Sequence, residues 1–473
     1  MKNKSFIIAM FFILTIFSLV ASIAISWAED FPLIENIKNS DRILILAPHP
    51  DDEAIGCAGV IQEAVANGAK VKVAYLTSGE NNEVAFIVYE KRLTVRKGEF
   101  LHMGEVRQSE SIEAMKLLGI DKENLIFLGY PDFGTFKIFT QYWNPKKPFW
   151  NLSTRTSSVP YKVSPSYGAP YSGESILADL KKILLDFKPT KVFVSHPADV
   201  NVDHKALNLF LEVALLDLGD QLSRPKIYPY LIHCVGWPLP RHYHPELPLD
   251  PPNKFLNSQI IWNRFDLSPE RLNKKHQAIL CYKSQTETSA FYLLSFARKN
   301  ELFGEYPFIT LDKHYSLKGR MAAFSGYPET PESDEHLKEN SLSKDDLENK
   351  SEVSFSVLDG NLVMHISKPK SLINRFATLT YLFGYSKKVP FAEMPKLLII
   401  TKFDKFKIIN GKKIIKVEGA SLEFLPDKIN FKIPLKALGD PGYIITSVKA
   451  YLGKDHGGSL SIDAIGFRTI EIK

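Results

Sequence analysis

The chain has 473 residues, 45% of them hydrophobic and 24% charged, with a formal charge of +6. At about 150 residues per domain that is room for two or three globular cores, and it excludes a disordered or fibrous polymer. The positive surplus is spread along the chain, with no basic block and no docking motif, so no nucleic-acid partner is expected.

Residues 1–28 have the build of a targeting segment. Lys2 and Lys4 precede an apolar stretch from Phe6 to Ile25, and Ser26-Trp27-Ala28 offers small residues at the −3 and −1 positions of a cut. The apolar run also matches the ~20 residues that span a bilayer. It is either a cleaved signal or an uncleaved anchor, and this segment is the only membrane contact expected. Both readings expect an exported protein, whether periplasmic, extracellular or membrane-anchored facing outward. Cys57, Cys234 and Cys281 are too few and too scattered for a disulfide framework or a cysteine metal site.

The first strong signal is Ile43 to Gly59, ILILAPHPDDEAIGCAG. Its aliphatic start reads as a buried parallel strand, and ligands in open α/β sheets gather just past the carboxyl ends of such strands. His49 and Asp52 are three apart, and Pro50 stiffens the backbone between them. An imidazole and a carboxylate are ordinary zinc ligands. Three consecutive carboxylates repel one another unless a cation sits among them, and a metal ion is the simplest such cation. Asp51 is left over for acid–base work, and Glu53 is expected at the helix start, where the dipole favours it.

APHPDDE resembles the AHPDDE signature of the PIG-L/LmbE-like family of zinc-dependent N-deacetylases, which act on N-acetylated sugars and related amides. The resemblance runs from about Asp41 to about Gly304. It implies an α/β domain over 41–310, a Rossmann-like mostly parallel sheet with flanking helices.

Val71–Glu80 reads as a second strand, and 91–119 as an amphipathic helix ending at Gly119. Arg107 and Glu110 are three apart within it, which as a surface ion pair is worth about a few tenths of a kcal/mol; the resemblance implies instead that Arg107 contacts substrate. After a third strand at 124–128, Asp132 in GYPD is either an Asx-turn or, by resemblance, a substrate-binding carboxylate. The stretch 133–173 is rich in proline and aromatics and reads as an ordered lid or groove wall. Its Trp143, Trp150, Tyr161 and Tyr167 are candidates to stack on sugar rings, or else pack against their own domain.

A helix at 175–187 and a strand at 191–195 lead into HPADVNVDHKALNLFLEVAL. By resemblance His204 is the third zinc ligand, joining His49 and Asp52, and a two-His, one-carboxylate set with an open position is catalytic. Many family members carry a histidine where this chain has Asn201. Asparagine donates a hydrogen bond to an oxyanion but shuttles no proton. His233 and His196 are candidate substitutes, or else hydrogen-bonded core histidines. Asp203 is placed to orient a ring nitrogen, and Asp199 reads as a turn residue. A helix over 267–285 opens with Ser268 as its N-cap.

Residues 327–350 are charged, poor in large apolar side chains and proline-bearing at the start, which reads as a linker. From 351 to 473, short alternating runs punctuated by Asp-Gly, Asn-Gly and Pro-Asp predict a C-terminal all-β sandwich domain, similar in architecture to carbohydrate-binding modules. The function expected is zinc-dependent removal of acetyl from an N-acetylglucosamine-type sugar or glycan, with Asp51 as base and Asn201 or His233 assisting. The alternatives are a catalytically silent zinc-containing glycan-binding protein and a hydrolase of a non-sugar amide.

Overall fold

The computed structural model describes residues 31–81, 97–312, 319–324, 351–367, 376–452, 460–462 and 466–473, apart from 257 and 403. The targeting segment at 1–28, the start of the helix expected at 91–119, and the linker at 327–350 lie outside these residues. No described helix is long and apolar enough to cross a membrane.

The first domain builds on a seven-stranded sheet. In chain order its elements are β1 (Arg42–Ala47), α1 (Asp52–Ala66), β2 (Lys70–Thr77), α2 (Lys97–Leu117), β3 (Leu125–Tyr130), α3 (Thr135–Gln141), α4 (Gly173–Phe187), β4 (Lys191–Ser195), α5 (Val202–Leu218), β5 (Lys226–Tyr230), β6 (Ile261–Asp266), α6 (Pro269–Leu280), α7 (Lys283–Leu293) and β7 (Asn300–Glu305). The strand order is β3-β2-β1-β4-β5-β7-β6, parallel from β3 through β5, with β7 antiparallel to both its neighbours. β1 is buried on both faces, which is why it reads as an unbroken aliphatic run. The single helix expected over 267–285 divides into α6 and α7, and the Ser268 hydroxyl does cap α6 by accepting from Arg271 N.

α1 lies tight on this sheet because Gly56 carries no side chain: a Cβ there would stand 2.8 Å from the Tyr230 ring. β1 has β2 on one side and β4 on the other, and the connections leaving these strands diverge. That divergence opens a crevice beyond the carboxyl ends of β1 and β4.

The second domain is a sandwich. One sheet runs Ser421–Phe424, Lys428–Pro434, Asn361–Ser367, Ser351–Leu358 and Gly319–Phe324; the other is eight-stranded and centred on Phe376–Tyr385 and Tyr443–Leu452. Inward-facing Val353, Phe355, Met364, Leu397, Ile399, Phe431 and Ile444 fill the space between them. It begins earlier than the expected residue 351. Ile309–Leu311 pairs in parallel with Arg468–Ile472, and Gly319–Phe324 pairs with Ser351–Leu358. Ile309–Leu311 is claimed by pairing with the last strand of the chain, and Gly319–Phe324 by a strand beyond the expected linker, and nothing local in their sequence announces either.

The sandwich is packed against the first domain, not hung from it. Phe383, Phe391, Ile445 and Phe467 join one apolar cluster with Phe139, Trp143 and Phe210. Ring centroids lie 5.3 Å apart for Phe139 and Phe383, and 4.9 Å for Trp143 and Phe391. Trp143 is therefore a core residue, not a sugar platform, and Tyr161 is likewise buried. Trp150 and Tyr167 remain 57% exposed.

Candidate metal centre

β1 ends in the Pro48-His49-Pro50 turn, and the His49 backbone N–H donates to Asp52 Oδ2 at 2.9 Å. That bond puts the imidazole and the carboxylate on one side, with His49 Nδ1 3.2 Å from Asp52 Oδ2. The second half arrives from β4. Asn201 caps α5, its side-chain oxygen accepting from Asp203 N at 2.8 Å, and so fixes the first turn that carries His204. His204 Nε2 lies 3.1 Å from Asp52 Oδ2 and its Nδ1 3.0 Å from Asp199 Oδ2. Neither approach has hydrogen-bond alignment, so both nitrogens of this fully buried ring are without a directed partner.

That unaligned crowding is what ligands of one ion look like. Two atoms each ~2.05 Å from a tetrahedral zinc stand roughly 3.3 Å apart, close to the separations found. One ligand atom from each of His49, Asp52 and His204 falls within 4.8 Å of the others. The donor set, two imidazoles and a carboxylate, suits zinc, and the surrounding groups have the roles expected of outer partners. Asp199 Oδ1 accepts from Asn201 N at 2.8 Å, and Oδ2, which accepts from Ile232 N and His233 N at 3.2 and 2.9 Å, is the oxygen that faces His204. It orients the histidine, and is not the ordinary turn residue its sequence suggested.

The far nitrogen of His49 faces two further carboxylates, Asp132 Oδ1 at 3.2 Å and Asp203 Oδ2 at 3.3 Å. Asp203 also accepts from Phe133 N at 2.6 Å and from the backbone N–H and hydroxyl of Thr135. The histidine is gripped from behind by groups that are themselves held.

Asp51 lies just outside the ligand set. Its φ of 111° is in the left-handed region, a strain worth about 1–3 kcal/mol that surrounding contacts must offset. Its N–H donates to Glu53 Oε2 at 3.1 Å, and Glu53 in turn accepts from the Tyr282 hydroxyl. Arg107 completes the grip, donating to Gly79 O at 2.7 Å, Pro50 O at 2.6 Å and Asp51 Oδ2 at 3.2 Å.

The electrostatics follow from this crowding. Burial, helped by the neighbouring Asp52 charge, pushes the Asp51 carboxyl up to about 7 against the pull of Arg107, His49 and His204. Asp52 is also buried, yet His204 and His49 hold it well below the usual range. His204 would be lowered by burial, but Asp199 and Asp52 carry it to about 9. His49 behaves alike: burial opposes, and Asp132, Asp203 and Asp52 raise it well above the ordinary value. His233 goes the other way, down to about 4, from burial and from its cationic neighbours His204 and His49, with Asp199 opposing.

The crevice brings together His49, Asp51, Asp52, Asp132, His204 and, 4.7 Å ring to ring from His204, His233. Several expectations change. Arg107 and Glu110 are buried and do not pair with each other; Glu110 accepts from Ser284 N and Oγ at 2.7 and 2.6 Å. Arg107 directs Nη1 and Nη2 to Asp51 and two carbonyls, which gives it a positioning contact, while its buried Nε has no partner among the described residues. Asp132 is buried behind His49, with Oδ2 accepting from Asn81 N at 2.9 Å, which is neither an isolated Asx-turn nor an open substrate contact. Asn201 has its oxygen committed to the helix cap. Glu53 does stand in the first turn of α1, and it is fully buried there. His196 packs in the interior away from this cluster, stacked on Trp262.

A sequence model of the family described as PIG-L: GlcNAc-PI de-N-acetylase matches residues 44–215. Residues 44–215 are a PIG-L domain. The chain is similar to 1D-myo-inositol 2-acetamido-2-deoxy-alpha-D-glucopyranoside deacetylase of Corynebacterium glutamicum (strain R), at 32% identity over 88 residues, 19% of this chain and 29% of that protein. The protein of the same description from Mycobacterium sp. (strain KMS) is 35% identical over 102 residues, 22% of this chain and 31% of its own length. The chain thus spans about a third of the length of these curated relatives. Among solved structures, an N,N'-diacetylchitobiose deacetylase from Pyrococcus horikoshii is similar at 20% identity, covering 58% of this chain and 86% of that one, with a TM-score of 0.35. The PIG-L match runs from within β1 through most of α5, and so contains both halves of the His49–Asp52–His204 cluster.

Proposed function

We propose that this PIG-L protein is a zinc-dependent N-deacetylase that removes acetyl from an N-acetylglucosamine-type sugar or glycan. The observation that carries the reading is the convergence of His49, Asp52 and His204 beside Asp51, a carboxylate outside the ligand set. A divalent ion held by those three residues supplies the positive charge that polarises an amide carbonyl and acidifies an attacking water.

The chain's own residues do the rest. Asp51 takes the proton of the water as its oxygen bonds to the acyl carbon. Burial favours the protonated form of this carboxyl, so Asp51 holds that proton until the carbon–nitrogen bond breaks and returns it to the departing amine. Arg107 fixes the direction from which Asp51 acts. Asp199 keeps the His204 ring in one orientation, and Asp132 with Asp203 does the same for His49. His233, neutral at the edge of the cluster, is the group placed to hydrogen-bond the carbonyl oxygen as charge develops there. Acetate and a sugar amine leave.

The test is acetate release by the purified full chain from N-acetylglucosamine derivatives, with and without a chelator. Release that the chelator abolishes and added zinc restores supports the proposal. Release only from non-sugar amides would move the substrate class, and zinc content with no release from any amide would refute the enzyme reading.

A further inference from the structure

The turn that follows β3 holds a residue whose backbone is strained and whose side chain gains little from the fold. Gly134 N donates to Pro131 O at 3.0 Å, closing a four-residue turn with Asp132 and Phe133 at its centre. Phe133 has a φ of 56°. Glycine or asparagine is the ordinary occupant of such a turn position, and a bulky side chain there is an outlier. Of the described non-glycine residues with positive φ, Phe133 is the only one with an apolar side chain.

Burial does not offset this strain. Phe133 is 55% exposed and is part of none of the three buried apolar clusters. Phe136, three residues on, behaves differently: its ring lies 5.6 Å from Tyr381 and 5.9 Å from Phe467, across the domain boundary. What the fold does hold is the Phe133 backbone. Its N–H donates to Asp203 Oδ2 at 2.6 Å, and that oxygen stands 3.3 Å from His49 Nε2. Asp132, the preceding residue, brings Oδ1 to 3.2 Å from the same nitrogen. A single oxygen thus separates the Phe133 backbone from a candidate metal ligand, while most of the residue meets solvent.

Backbone strain that the fold's own packing does not offset, held beside a reactive cluster, is characteristic of residues that meet a ligand. We propose that Phe133 is the platform on which the sugar ring of the substrate stacks, and so gives the metal centre its preference for N-acylated sugars over open-chain amides. One face of a hexose is made of carbon-bound hydrogens, and an aromatic ring offers that face a flat apolar surface of about its own size. Trp143 and Tyr161, the other candidates from the 133–173 stretch, are buried. Trp150 and Tyr167 are as exposed as Phe133, but among the described residues neither backbone is bonded to an acid that faces His49. The proposal rests on the deacetylase reading for the reaction, whereas the ring contact itself needs no turnover.

The test is calorimetric titration of the full chain with the methyl glycoside of glucosamine, which keeps the ring, lacks the acyl group and undergoes no reaction. One saturable site is expected. Phe133→Gly keeps the N–H that Asp203 accepts and relieves the strain, so metal content should hold and the melting temperature should not fall. Its affinity for the glycoside should drop about three- to tenfold, the scale of a lost ring contact, and Phe133→Trp should bind as the wild type does. Where acetate is released from N-acetylglucosamine derivatives, KM should rise in Phe133→Gly by the same factor with kcat little changed. No saturable binding by the wild type, an affinity unchanged in Phe133→Gly, or a loss that follows lost metal would overturn the platform. Binding that depends on Phe133 without acetate release would instead count against the deacetylase reading and leave the platform standing.

Discussion

Gly466 of the sandwich lies so close to Ala198 that a Cβ built on it would stand 2.5 Å from the Ala198 Cα and backbone nitrogen. One residue on, the Phe467 N–H donates to Pro197 O at 3.2 Å. Ala198 is in the loop that leads from β4 to Asp199 and His204, so the second domain braces one half of the candidate metal centre. Gly466→Val should press on that loop. A loss of about 1–3 kcal/mol is expected from the overpacking, with weaker metal binding by the folded fraction. Thermal melts beside a metal-competition titration check this, and unchanged metal affinity would show that the brace does not reach His204.

Asp199→Asn keeps the size of the side chain and the acceptor for Ile232 and His233, but removes the charge facing His204 Nδ1. Metal affinity should fall about 10–100-fold while the melting temperature moves little. Equal affinity in the two proteins would mean that the geometry around His204 is set elsewhere.

Arg107→Met removes the donors that hold Asp51 and the carbonyls of Pro50 and Gly79. Turnover should drop about 100-fold, the scale of a misplaced reacting group, with metal content unchanged and KM little altered. A rise in KM with turnover intact would return Arg107 to the substrate-binding role that its sequence suggested.

Much of the first domain could be read in advance, because its signals are local. The aliphatic run of β1, the Ser268 cap and the placement of His49, Asp52 and His204 just past strand ends need only neighbouring residues. What could not be read depends on distant chain. Glu53 meets Tyr282, Glu110 meets Ser284, and Arg107 meets Asp51 across separations that no spacing rule encodes. Trp143 and Tyr161 looked like platforms because an aromatic-rich loop reads alike whether its rings face solvent or a second domain. Asp199 was passed over because an acid in a turn after a proline has an ordinary local explanation.

Lys396 gives a pH dependence far from the metal centre. Its ammonium is buried between the domains, donating to the carbonyls of Phe391 and Met394 and lying 4.8 Å from the Trp143 ring centroid. Burial lowers its pKa from 10.5 to about 7. Between those values the unfolded chain binds a proton that the folded one does not, so this residue's contribution to stability rises with pH. Its destabilising effect is full below about 7 and gone above 10.5. The melting temperature of wild type minus that of Lys396→Met should therefore climb from pH 7 to pH 10, and a flat difference would mean that Lys396 stays charged in the fold.

The most direct measurement is metal content per chain, by elemental analysis of the full-length protein and of its His49→Ala and His204→Ala variants, each checked for folding by circular dichroism. One zinc per wild-type chain is expected, with a loss of nearly all of it in either folded variant, because the two imidazoles come from separate strand ends and neither half suffices. Zinc retained at one per chain in both folded variants, or absent from wild type even after incubation with the ion, would contradict a shared site.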